Sequence, residues 1–373
     1  MHASLAARSA GHAASVALLL VTPVPVRDDL RALEGYHSPQ VDVRVRLNTN
    51  ESPFEPPAAW REAYAAELAT VAWHRYPDRG AHRLRAAIAE FHGVEPEQVF
   101  AANGSNEVLQ TLLLAYAGPG RAVLTFEPTY QLHAHIARLT GARVLEVPRA
   151  DDFTLDLPAA LKVMADERPT VTFVCSPNNP TGLAEPSYNV MALLAAAPGL
   201  LVVDEAYGQF SEWSALKLVD DETPLVVTRT FSKTWSMAGA RLGYLVGPSW
   251  LVAELDKVAL PYHLDAAKQI AGRLALQFVD DMDARVHQIV DERRRIGVEL
   301  EKLSVDCFPS SANFILFRPW RVPGRTVWQG LLDRDVLIRD CSSWPRLGDC
   351  LRVTVGTPDE NDAFLVALQE VLS

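Results

Sequence analysis

In the stretch TRTFSKTWSMAGARLGY, from Thr228 to Tyr244, Lys233 stands among hydroxyls just past an apolar run, and Arg241 follows eight residues later between small residues. A lysine is a poor nucleophile while protonated; desolvation or neighbouring positive charge lowers its pKa and frees the amine for covalent chemistry. The ordinary alternative is a solvated loop lysine, and the company it keeps in the fold decides between the two. Asp204 closes another apolar run, in LLVVDEAY, where an isolated carboxylate needs a cationic partner. A protonated pyridine nitrogen is one such partner. Asn103, Gly104, Ser105 and Asn106 precede the amphipathic EVLQTLLLAYAG and offer backbone N–H groups at a helix N-terminus, which suits a phosphate; the same residues also serve as an ordinary cap. Tyr130, after Glu127-Pro128-Thr129, is of a type that stacks on a flat ring or fills a core.

These residues need a scaffold that gathers them. Five short apolar runs, over 121–128, 170–180, 200–207, 224–233 and 241–247, read as strands buried on both faces. Helical segments such as YQLHAHIARLTG and SYNVMALLAAAPG lie between them. The alternation predicts an α/β fold, with a mostly parallel central sheet sandwiched by helices and ligands beyond the carboxyl ends of its strands. The tails EPTY, SPNNPTG, DEAY and TFSK that follow four of the runs then meet on one sheet edge. A tyrosine, an asparagine, an aspartate and a lysine delivered to one edge describe a site rather than chance loop polarity.

Past Pro261 a long helical stretch over 266–303 leads to three more strand candidates, ANFILFR, DVLIRD and LRVTVG, read as a smaller α/β domain. The early VDVRVRLNTNESPFEPP reads as an extended arm, because Pro53, Pro56 and Pro57 exclude a helix there. The expected organisation is a disordered extension over 1–26, an N-terminal arm over 27–60 belonging to the small domain, a large domain over 61–262 and the small C-terminal domain over 263–373.

A chain of 373 residues with 49% hydrophobic and 22% charged residues has enough apolar mass for two such domains. The net charge of -11 argues against broad capture of nucleic acid or of an anionic membrane. The apolar run Ser15 to Val26 is too short to span a bilayer and is broken by Pro23 and Pro25. Four scattered cysteines without a C-x-x-C pair or a His partner at ligand spacing read as reduced thiols of a cytoplasmic protein with no metal site.

A flat cationic ring, a phosphate and an amine-reactive carbonyl together describe pyridoxal 5'-phosphate. The ordered set SPNNPTG, DEAY, TFSKTWSMAGARLGY and LRVTVG resembles the fold-type I aminotransferases, and within them the histidinol-phosphate aminotransferases. The resemblance runs from RDDLRALEGYHSP to GTPDENDAFLVAL. It implies that Lys233 is the covalent anchor of the cofactor and that Asp204 pairs with its ring nitrogen. Asn179 and Tyr207 would bond the ring oxygen, and Tyr130 would stack on the ring. The turn at Gly104, Ser105 and Asn106, with Ser232 and Arg241, would hold the phosphate. Tyr76 would reach the phosphate of a neighbouring subunit, implying a homodimer with shared sites. Arg352 would grip the substrate anion, with Arg339 and Tyr36 at the phosphate end. The implied reaction moves an amino group from histidinol phosphate to 2-oxoglutarate; relatives with the same cofactor set transaminate aromatic amino acids or decarboxylate threonine phosphate. GSNE in place of the frequent Gly-Ala-Asp-Glu, and a tryptophan after Thr234, depart from the commonest pattern without removing a group the cofactor needs.

Overall fold

In the computed structural model, which describes residues 24–31, 33, 35 and 40–373, the apolar runs are strands. Residues 1–37 and 38–373 separate as units, and the described part of the first holds one 3₁₀ turn, Asp28–Leu30. The expected extension over 1–26 lies largely outside the described residues, and Tyr36 lies outside them entirely. The arm contributes a strand, β1 (Val45–Leu47). A seven-stranded sheet follows, made of β2 (Val99–Ala102), β3 (Ala122–Glu127), β4 (Arg143–Pro148), β5 (Val171–Cys175), β6 (Leu200–Asp204), β7 (Leu225–Thr230) and β8 (Gly243–Val246). A second sheet combines β1 with β9 (Val305–Cys307), β10 (Phe314–Pro319), β11 (Val336–Asp340) and β12 (Leu351–Thr354), in the order β1-β11-β12-β10-β9.

The large sheet runs β2-β8-β7-β6-β5-β3-β4. Its pairs from β4 through β7 are parallel, whereas β8 runs antiparallel to both β7 and β2. Two reversals restore direction, so β2 points the same way as β7. The carboxyl ends of β2, β3, β5, β6 and β7 therefore share an edge, and β8 starts there. Burial on both faces explains the unbroken apolar runs. On β6, Leu201 and Val203 join the core on one side while Val202 joins the core on the other.

The structure corrects the sequence reading in two places. The helical stretch over 266–303 is two helices, Ala266–Ala275 and Val279–Leu300; Phe278 leaves helical backbone at ψ 43 and packs on the main core. The strands β2, β4 and β9 were not expected, being short or, in β4, half exposed and interrupted by Glu146.

Next to Asp204, the buried Glu205 fixes the start of the following loop. Its carboxylate accepts from Arg229 Nε at 3.0 Å and Nη2 at 2.6 Å, from Ser214 Oγ and from the Ala215 amide. Removing one partner of such a pair strands a charge in low dielectric. Glu205→Ala should therefore cost about 3–5 kcal/mol of stability, read as a lowered midpoint in urea unfolding. A loss below about 1 kcal/mol would show that water reaches Arg229.

Candidate active site

The shared edge collects most of the residues singled out above. Asp204 ends β6, Ser232 and Lys233 follow β7, Tyr130 lies just past β3, and Asn179 lies in the loop after β5. Gly104 follows β2 and caps the helix Ser105–Tyr116, whose buried face of Val108, Leu109, Leu112 and Leu113 anchors it to the sheet. The reversal of β8 returns Arg241 to the same edge, where its Nη1 donates to Ser232 Oγ at 3.3 Å. Gly104 is required here. Its φ is +81, and a Cβ would stand 2.8 Å from the Arg241 guanidinium. Gly243 is equally constrained, since a Cβ there would come within 2.2 Å of the Ser105 amide nitrogen.

First-turn N–H groups of a helix, a serine hydroxyl and a guanidinium converging on one glycine turn form an anion cradle, and a phosphate fits it. Tyr130 Oη donates to Asn106 Oδ1 at 3.0 Å, tying the aromatic ring to that turn. The buried Arg352 Nε and His133 Nδ1 lack hydrogen-bond partners among the described residues, so the site holds polar capacity for a ligand. This donor set fits pyridoxal 5'-phosphate.

Lys233 Nζ donates to the Thr49 carbonyl at 3.0 Å and lies 5.8 Å from the Tyr207 ring centroid. Burial pushes its pKa down from 10.5 to about 7, with Arg352 adding to the shift, Glu51 opposing it and Arg241 adding less. Arg352, on β12, is buried and donates to Asn179 Oδ1 through Nη1 and to the Asn48 carbonyl through Nη2 at 3.0 Å. Its guanidinium lies 5.1 Å from the Phe314 ring centroid. Arg339 of β11 is directly opposite Arg352 in the antiparallel ladder, buried near the Trp344 ring. Burial raises the Tyr207 phenol above its ordinary pKa. Tyr76 is 80% exposed and stacks on Tyr262 with centroids 4.4 Å apart; the chain's own cradle is built without it.

Two groups escaped the sequence reading. His133 Nε2 sits 2.9 Å from Asp204 Oδ2, with its ring stacked on Phe173 at 4.5 Å. Asp204 Oδ1 accepts from the Ala206 amide, so the carboxylate is oriented from both sides. The available signal was a histidine three residues after Tyr130, where a turn bonds the His133 amide to the Tyr130 carbonyl and sets the two rings edge to face at 5.4 Å. The second group is the arm, where Asn48, Thr49 and Asn50 bond Arg352, Lys233 and Tyr207 in turn. No local pattern announces that contact, which spans 157 residues for Asn50 and Tyr207.

The Aminotransferase class I and II family profile matches residues 43–368. The chain belongs to that family. Within the class I and II aminotransferases it groups with the histidinol-phosphate aminotransferases. It is 43% identical over 363 residues to the histidinol-phosphate aminotransferase of Corynebacterium diphtheriae, covering 95% of this chain and 98% of that one. It is 45% identical over 366 residues to the enzyme of that name from Streptomyces avermitilis, covering 94% and 97%. Its fold superposes on the crystal structure of the Sinorhizobium meliloti histidinol-phosphate aminotransferase in complex with pyridoxal-5'-phosphate, with a TM-score of 0.85, 25% identity and 94% and 98% coverage. Among the described residues no helix is long and apolar enough to cross a membrane, and no His, Cys, Asp and Glu cluster could hold a metal ion.

The Lys233 shift has a signed consequence for this aminotransferase. Between pH about 7 and 10.5 the unfolded chain holds a proton on Lys233 that the fold does not. This group therefore makes stability rise with pH across that window, and its buried charge penalises the fold in full below it. In the cofactor-free protein, acylation of Lys233 followed by mass spectrometry should reach half its maximal rate near pH 7. A midpoint near 10 would contradict a desolvated amine.

Proposed function

We propose that this aminotransferase transfers the amino group of histidinol phosphate to 2-oxoglutarate, giving imidazole acetol phosphate and glutamate, with pyridoxal 5'-phosphate as cofactor. The observation that carries the reading is the pair Arg339 and Arg352. Residues directly opposite in an antiparallel ladder project to the same face, so the two buried guanidinium groups stand on one side of the sheet. A doubly charged phosphate, or the carboxylate of the acceptor, suits two guanidinium forks so placed.

The bound cofactor supplies an electron sink for the charge left on Cα after its proton is removed. The rest is done by the chain. Lys233, its pKa lowered to about 7, would hold the cofactor and would carry the proton from Cα. Asp204, steadied by His133, favours protonation of the ring nitrogen. Asn179 and Tyr207 hold the ring oxygen, Tyr130 backs the ring, and Gly104, Ser105, Asn106, Ser232 and Arg241 hold the phosphate. Tyr76, exposed on each subunit, completes the cradle of the other in a homodimer. The large domain over 61–262 supplies the cradle; the small domain over 263–373 and its arm supply the arginines and the strap over Lys233.

Rapid mixing of the cofactor-loaded enzyme with single donors tests the substrate. The absorbance of the bound cofactor should bleach faster with histidinol phosphate than with phenylalanine, tyrosine or threonine phosphate, and a faster aromatic donor would move the enzyme to another specificity. Lys233→Ala should abolish turnover. Arg352→Ala should lower kcat/KM about 10- to 100-fold for both the donor and 2-oxoglutarate, the loss expected for one charge-assisted anion contact. A loss confined to one of them would end the dual role.

A further inference from the structure

Asn50 joins the arm both to the second sheet and to Tyr207 through hydrogen bonds. Asn50 is 1% exposed and sits at φ +55, a left-handed conformation that asparagine tolerates better than most residues. Its backbone N–H donates to Thr354 Oγ1 at 3.0 Å, so the threonine hydroxyl hydrogen is free to donate, and it reaches Asn50 Oδ1 at 3.1 Å. In this arrangement every hydrogen in the set has an acceptor: Oδ1 faces Thr354, and Nδ2 faces Tyr207 Oη at 2.9 Å. An amide nitrogen can only donate. The Tyr207 oxygen therefore accepts, and its own hydrogen must point elsewhere.

We propose that Asn50 is a positioning residue that turns the Tyr207 hydroxyl hydrogen into the site, so that the phenol meets the cofactor's ring oxygen as a donor. This rests on the reading of Tyr207 given above. A free phenol rotates between donor and acceptor roles; one that accepts from an amide on its far side keeps its own hydrogen to donate on the other. The anchor of the device lies in the second sheet. Thr354 is two residues beyond Arg352 on β12, and Asn313, just before β10, donates to the Asn50 carbonyl at 3.1 Å. The sheet that presents the anion-gripping arginine thus also sets the direction of the phenol proton. The buried, raised-pKa phenol stays protonated throughout the working range, as a permanent donor must.

The test is a pH titration of the absorbance of the bound cofactor in wild type, Asn50→Gly, Tyr207→Phe and the double variant. Glycine accepts the left-handed backbone at position 50 and introduces no charge. A donated hydrogen bond stabilises the deprotonated chromophore, so Tyr207→Phe should raise the midpoint by about one pH unit. Asn50→Gly should raise it by part of that shift, and by nothing further in the Tyr207→Phe background. Equal shifts in both backgrounds, or none in either, would overturn the proposal while leaving the ring-facing role of Tyr207 standing. A silent Tyr207→Phe would remove that role and the proposal together. If Asn50→Gly does not fold, Thr354→Val frees the amide to flip and is read by the same two-background comparison.

Discussion

The site depends on keeping one amine desolvated without leaving it unbonded. Burial lowers the proton affinity of Lys233, and an unpartnered buried N–H group would cost about 1–3 kcal/mol. The Thr49 carbonyl supplies an acceptor that adds no negative charge, so the amine is held without being pulled back toward the ammonium form. Arg352 then adds a positive charge nearby, which lowers the proton affinity further. An ion pair at the same place would hold Lys233 as firmly and leave it protonated.

That arrangement explains why a strand of three residues in the arm matters. β1 runs parallel to β11, and its register sets Leu47 against Ile338, one residue short of Arg339. From that pairing Asn48, Thr49 and Asn50 continue over the site and meet Arg352, Lys233 and Tyr207. The seven-stranded sheet positions the phosphate cradle by direction instead. Because β8 reverses, Arg241 enters from the edge where β2 and β7 end, and one side chain bonds the loop of the second strand while standing against the turn of the first.

Legibility in the sequence followed the range of each interaction. Asp204, Tyr207, Asn179, Lys233 and the Gly104 turn each follow a buried strand within a few residues, so an apolar run with a polar tail was enough to nominate them, and the structure gathers them at one edge. Strands set by a sheet neighbour were harder: β4 is half exposed and has no apolar run to read. The break at Phe278 was hidden because apolar spacing continues across it, while the backbone turns to pack that ring. Asn50 and His133 were out of reach for different reasons. Asn50 acts across 157 residues through strand pairing, whereas His133 is near in sequence to Tyr130 but gains meaning only from Asp204, 71 residues on.

Placing the anion grip and the reactive amine within one another's field links recognition to chemistry. The charge on Arg352 depresses the Lys233 pKa, so an anion bound at the arginine would act on the amine as well. In the cofactor-free chain, an anion seated on Arg352 offsets that charge and raises the proton affinity of the Lys233 amine. An amine poised near pH 7 is close enough to the balance point for such a change to alter its protonation. A lysine left at its solution value would be protonated with or without such an anion.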